Sequence, residues 1–172
     1  MKKIVGHNPD WAFQYKAESE SLHNLLGNTC VRSHHIGSTA IAHIPAKPII
    51  DILMEVSCLN ELDALSNGLS SSNYEVRGEY GILGRRYFKK KATVTISGIN
   101  LHCYELGSFQ IKRHLAFKNY LIAKPEVAQE YAKLKLNLCD AGGVLKANYQ
   151  DDKKPFVDGT SLEALRYFER QS

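Results

Sequence analysis

His34-His35-Ile36-Gly37-Ser38-Thr39-Ala40, followed after a short gap by Lys47-Pro48-Ile49-Ile50-Asp51-Ile52, is the stretch that decides the fold. A strand over Cys30 to His34 breaks at Gly37-Ser38-Thr39, where a tight turn or one-turn helix is expected. The run from Pro48 to Val56 is apolar nearly throughout, the mark of a central strand covered on both faces. Asp51 lies inside it. An ionised carboxylate among isoleucines and leucines is costly unless a solvent opening, a cation or a metal ion compensates it. Lys47 stands four residues earlier and, by the period of two along a strand, on the same face, so it is one candidate cation. The Gly-Ser turn leaves backbone N–H groups aimed at one spot. With the Ser38 and Thr39 hydroxyls they either cradle a phosphate or make a plain turn. Asp51 is accordingly either half of a structural ion pair with Lys47 or Arg85, or a ligand or metal site.

Outward from this stretch, Asp10 is expected to cap a helix running to about Leu26, stopped by Gly27-Asn28, with Trp11, Tyr15, Leu22, Leu25 and Leu26 on its apolar side. Leu59 to Leu69 reads as one helix and Tyr74 to Arg77 as a strand. Gly78, Gly81 and Gly84 mark a flap or long turn before a strand at Arg85 to Lys89. Thr93 to Ile96 and Ile99 to Tyr104 read as a strand or hairpin. From Ser108 onward the pattern is helical: Ser108 caps a helix to about Ala123, Pro125 opens another to about Leu138, and Ser161 to Arg170 makes the last. The class is α+β, a mixed β-sheet flanked by helices with a helical C-terminal third. One domain is expected over 1–172, its sheet-containing core at about 1–107 and its helical part at about 108–172.

Composition agrees. The 172 residues, 44% hydrophobic and 23% charged, suit a globular chain able to bury a core without disulfides, and exclude disorder or a fibrous repeat. No apolar run approaches the roughly 20 residues that span a bilayer. The first nine residues carry two lysines and no apolar segment of a signal peptide, so a cytoplasmic location is expected. Cys30, Cys58, Cys103 and Cys139 are scattered in apolar surroundings and read as reduced packing residues. Residues 1–84 hold six basic and nine acidic side chains, and residues 85–172 hold 16 and nine. The basic second half either attracts a phosphate-bearing ligand or is a solvated helical surface. No motif of a sequence-reading nucleic-acid module appears, so nucleic acid is not an expected partner.

A Gly-Ser pair, a gap of about a dozen residues and an aspartate in an apolar strand resemble the opening of the nucleotidyltransferase fold. More specifically, His35 to Ala40 with Ala46 to Ile52 resembles the GrpB family. The likeness continues through Gly78 to Phe88, Leu101-His102, Arg113 to Leu121 and Tyr131 to Lys135, and includes Asn8-Pro9-Asp10-Trp11, so it covers nearly the whole chain. The resemblance implies a nucleotidyltransferase-like fold, a family that also occurs fused to dephospho-coenzyme A kinases, and a nucleotide or other small phosphorylated molecule as ligand. Working nucleotidyltransferases place a second carboxylate two residues after the first, where this chain has Leu53, and a third on a later strand, where it offers His102.

The candidate catalytic residues are therefore Asp51 and His102. Gly37, Ser38, Thr39, Lys47, Arg85 and Arg86 are the candidates for phosphate, with only one of the two arginines able to face the site. Asp51, His102 and His35 are the candidate ligands for a divalent metal, Mg²⁺, Mn²⁺ or Zn²⁺; an aspartate with histidines suits the latter two better than Mg²⁺. His34, His43 and His114 have weaker claims, and Tyr149, Lys153 and Phe156 read as packing and surface. The functional expectation is a phosphoryl- or nucleotidyl-transfer enzyme. The alternatives are a non-catalytic nucleotide-binding domain that lost the catalytic carboxylates, and a protein-interaction module.

Overall fold

A computed structural model describes residues 3–171. Five strands form one mixed sheet in the order β1-β2-β5-β4-β3: β1 (Cys30–Ile36), β2 (Ile49–Val56), β3 (Tyr74–Val76), β4 (Arg85–Lys90) and β5 (Gly98–Glu105). Only β2 and β5 run parallel; the other neighbours are antiparallel. Helices α1 (Asp10–Leu26), α2 (Leu59–Ala64), α3 (Ser66–Ser71), α4 (Phe109–Ala123), α5 (Pro125–Asn137) and α6 (Tyr149–Glu169) cover it.

Strand alternation divides the sheet's chemistry. One face carries Ile50, Ile52, Met54, Phe88, Leu101 and Cys103, which form the main core with Trp11, Leu22 and Leu26 of α1 and Leu62 and Leu69 of α2 and α3. The opposite face carries Asp51, Leu53, Asn100, His102 and Tyr104, and α4 seals its far part through Ile111. The first face is apolar at its centre, with Ser33 and His35 on β1 and Arg86 and Lys90 on β4 flanking it; the second is apolar only where Ile36, Leu53 and Tyr104 lie. The site sits on the second.

Several elements differ from the sequence expectation. The chain enters α1 through Asn8, whose Oδ1 accepts from the Asp10 N–H at 3.0 Å, so Asp10 is the first helical residue and not the cap. Strand β1 extends two residues further, to Ile36, because pairing with β2 continues to Asp51. The 59–69 helix is two short ones, broken at Leu65. Residues 93–96 form no strand; Thr93 N–H closes a turn onto the Ile96 carbonyl, and the hairpin partner of β5 is β4. The last helix begins twelve residues early and runs through Pro155. An interior proline costs a helix about 3 kcal/mol. Burial of Tyr149 at the start and of Thr160, Ser161, Ala164 and Leu165 beyond it outweighs that local preference. The cap of α4 is as expected: the Ser108 hydroxyl accepts from the Gln110 N–H.

Candidate functional site

The parallel pairing of β2 with β5 sets Asp51 beside Asn100, and His102, two residues on, shares their face. Asn100 Nδ2 donates to Asp51 Oδ1 at 2.8 Å, and His102 Nε2 lies 3.4 Å from the same oxygen. On the other side, Ile36 pairs with Asp51 and the chain turns at Gly37 into a one-turn 3-10 helix, Ser38–Ala40. Gly37 has φ +70° and ψ −172°, and a Cβ there would lie 2.5 Å from Asp51 Oδ2. The glycine is thus required twice over, by its backbone conformation and by the carboxylate packed on it. The Asp51 side chain keeps 28% exposure, so it opens on solvent. Burial pushes its carboxyl up, but the hydrogen bonds and charge of His102, with Asn100 and Lys153, outweigh this and hold it below the ordinary aspartate range.

Helices α5 and α6 close the space above Asp51. Lys135 is 1% exposed, its Nζ donating to Ser38 Oγ at 3.0 Å and to the Pro45 carbonyl at 2.5 Å and lying 4.4 Å from the Tyr131 ring centre. Burial pushes this amine down to about 7, and Lys153 and Lys47 push the same way. Lys47 and Lys153 both approach the Tyr149 ring, at 5.0 and 5.4 Å from its centre. Burial lowers Lys153 as well, with Asp51 opposing.

Two adjoining chambers result. The smaller, about 240 Å³, holds Ser38, Thr39, Lys47, Lys135 and Tyr149. The larger, about 430 Å³, is walled by His102, His114, Phe117 and Val157. Gly37, Asp51, Tyr131, Gln150 and Lys153 belong to both, so the carboxylate stands at their junction.

Of the residues singled out from sequence, Gly37, Ser38, Thr39, Lys47, Asp51 and His102 meet here. Lys47 is not the strand partner expected. It precedes β2, in a segment fixed by the pairing of Val5 with Ala46, and reaches the site over Tyr149. His35 pairs with Ile52, so alternation sends its ring to the other face, where it stacks on Tyr15 at 4.8 Å and bonds Thr39 Oγ1 at 2.9 Å. Neither arginine lines the chambers. Arg85 is buried, its guanidinium donating to the carbonyls of Glu79 and Tyr80, which makes 78–84 a tethered turn. Arg86 faces away and grips Asp63 through both carboxylate oxygens at 2.7 and 2.8 Å. Arg86→Ala is therefore expected to cost at most about 1 kcal/mol in urea unfolding and to leave anion binding unchanged.

The sequence reading gave Lys135 no role in the site and assigned Tyr149 and Lys153 to packing and surface, whereas all three line the smaller chamber. A signal existed: Ala128, Tyr131 and Lys135 form the buried stripe of α5, which puts a lysine where periodicity demands an apolar residue.

The donor set does not fit a resident divalent ion. Leu53 stands where a second carboxylate would be needed and is fully buried with Ile36, Tyr104 and Ile111. His35 is on the wrong face, and among the described residues no group of three His, Cys, Asp or Glu is placed to hold a metal.

The family described as GrpB protein matches residues 2–161. The chain belongs to the GrpB family. It is 37% identical over 157 residues to the UPF0157 protein YqkA of Bacillus subtilis, covering 91% of this chain but only 43% of that protein, so it spans less than half of that relative's length. The crystal structure of the conserved protein GrpB from Enterococcus faecalis superposes with a TM-score of 0.87 at 34% identity, over 96% of this chain and 98% of that one. The GLD-2/RNP-8 complex matches at a TM-score of 0.51 and 13% identity over 89% of this chain and 51% of that one, a likeness of fold alone. The GrpB fold here is a nucleotidyltransferase-like mixed sheet flanked by helices. No helix of the described residues is long and apolar enough to cross a membrane.

Proposed function

We propose that this GrpB protein binds a nucleotide or other small phosphorylated molecule in the Asp51 cleft. The carrying observation is the convergence of Lys47, Lys135 and Lys153, from three different segments, on one small chamber that also holds the Ser38 hydroxyl and a single carboxylate. Three lysines confined with one carboxylate favour an anion in a partly desolvated space, where a phosphate's oxygens gain most from charge-assisted hydrogen bonds. The larger chamber then takes the organic part of the ligand against Tyr131, Phe117 and His114. Asp51, at the junction, accepts a hydrogen bond from a ligand hydroxyl.

The test is calorimetric titration with nucleoside mono-, di- and triphosphates and with pyrophosphate, with and without Mg²⁺. Binding is expected without the metal, and Lys153→Gln is expected to weaken it at least tenfold. If no phosphorylated probe binds at millimolar concentration, the reading fails.

The Asp51–His102 contact supports a second reading, nucleotidyl or phosphoryl transfer. Asp51, steadied by His102 Nε2, would take the proton of an acceptor hydroxyl as that oxygen attacks phosphorus and displaces pyrophosphate or a nucleoside diphosphate. Labelled nucleoside triphosphate distinguishes the two. Turnover that Asp51→Asn abolishes while binding survives supports transfer. Binding with no turnover in the wild-type protein supports a binding domain that has lost catalytic carboxylates.

A further inference from the structure

Lys135 is a buried amine whose direct hydrogen-bond partners are neutral acceptors. From the 3-10 turn it meets the neutral Ser38 hydroxyl, from the 41–48 segment the Pro45 carbonyl, and from its own helix the Tyr131 ring. The Tyr131 hydroxyl is pushed up to about 12 by burial and is no anion at neutral pH. Cys139, one turn on, gives its thiol hydrogen to the Lys135 carbonyl and is itself pushed up by burial. From the 41–48 segment and α6 come two further cations, Lys47 and Lys153, and the Tyr149 phenol, which burial raises. From β2 and β5 come Asp51, Asn100 and His102, with the carboxylate already bonded to Asn100 and His102. Among the described residues Lys135 forms no ion pair with a carboxylate.

The three directions around Nζ are satisfied in either protonation state. As an ammonium it donates to all three partners. As a neutral amine it donates to the Pro45 carbonyl and the Tyr131 ring and accepts from the Ser38 hydroxyl, which is a rotor. The site can therefore exchange one proton without rearrangement. What decides between the states is the charge placed in the chamber.

Resting on the phosphate reading, we propose that the anion enters this cleft as the counter-ion of Lys135, so that binding places a proton on that amine and the empty and loaded sites differ by one charge. The balance is simple: the neutral amine takes one proton from solvent, the anion takes its place beside the ammonium, and no covalent bond changes. Burial and the two neighbouring lysines favour the neutral amine in the empty site, holding it at about 7. A dianion between the three lysines reverses that preference. The device makes a phosphate's charge, and not its shape alone, a condition of tight binding.

The test uses inorganic pyrophosphate with the whole chain. Calorimetry at pH 7.5 in two phosphate-free buffers of small and large ionisation enthalpy counts protons. Uptake in the wild-type protein is expected to exceed that of Lys135→Met by more than half a proton per anion, the subtraction removing the probe's own titration. Wild-type affinity is expected to fall relative to the variant's by up to about tenfold per pH unit above 7. The ¹³Cε resonance of Lys135 in lysine-labelled protein, identified by its loss in Lys135→Met, provides a readout that needs no folded variant for its titration. Its midpoint is expected near neutrality in the free protein and at least two pH units higher with pyrophosphate.

A free midpoint above 9, or binding with the midpoint unmoved, overturns the coupling and leaves the phosphate reading standing. Equal uptake in wild type and Lys135→Met assigns the proton elsewhere and also overturns it. Absence of pyrophosphate and nucleotide binding at both pH 6.5 and 8.5 overturns the phosphate reading, and the coupling with it.

Discussion

Gly37→Ala is expected to lower unfolding stability by about 4 kcal/mol, the largest effect of any single methyl group added at the site. Two independent costs combine. The backbone at φ +70° and ψ −172° lies in a region open essentially to glycine, which costs another residue about 1–3 kcal/mol. The new Cβ would also meet Asp51 Oδ2 at 2.5 Å and Asp51 Cβ at 3.2 Å, an overpacking worth about 1–3 kcal/mol more. The carboxylate cannot retreat without giving up Asn100 or His102. Urea unfolding of a double-mutant cycle with Asp51→Ala separates the terms: removing the carboxylate should return the steric part and leave the conformational part. A cycle with no coupling would show that the close approach of turn and carboxylate is not what demands the glycine.

The second large effect is on acid stability. His35 and His114 are both pushed down to about 4, chiefly by burial, on opposite faces of the sheet. A histidine whose folded pKa lies below its unfolded value of about 6.5 is protonated first in the unfolded chain. The unfolded state then binds more protons throughout the interval between the two values, so stability rises with pH across about 4 to 6.5 and is lost on acidification through the same window. At pH 5 each ring contributes a loss of about 2 kcal/mol, so roughly 4 kcal/mol should disappear between pH 7 and pH 5. Lys135, at about 7 in the folded state against an ordinary lysine near 10.5, adds the same sign above neutrality and nothing below it. Asp51, held low, enters only below about pH 4. Urea unfolding at both pH values checks the size. His114→Gln should remove about half of the slope, and equal stability at pH 7 and pH 5 would refute the assignment.

Both effects grow from the same arrangement. One sheet face is apolar at its centre, and the other pairs an apolar patch with a polar opening. Asp51 stays ionised because that opening supplies water, Asn100, His102 and the field of Lys153. The lysines on the far wall gain nothing comparable for Lys135. The lining of the smaller chamber thus sets three lysines against one carboxylate.

Much of the scaffold was legible along the chain. The Pro48–Val56 run fixed a buried strand with one carboxylate in it, and the Gly37-Ser38 break fixed the turn beside it, because both are local signals of periodicity and backbone freedom. The motif residues also placed the chain in its family. Two readings failed for the same reason in opposite directions. Pro155 and Gly159 look like helix breakers, yet burial of Tyr149 and Ala164 holds α6 through them. Lys153 reads as packing or surface and Lys135 draws no site role, yet packing turns both into the cleft.

By itself, then, the sequence determined the strand, the turn, the lone acid and the family, each a matter of neighbours in the chain. Only the tertiary structure decided that Lys135 meets Ser38, 97 residues away, that His35 leaves Asp51 for the opposite face, and that Arg86 spends its charge on Asp63. The physical reason is that alternation and propensity act over a few residues, whereas the burial of an amine and the partner of a charge depend on which helix face comes to rest against which side of the sheet.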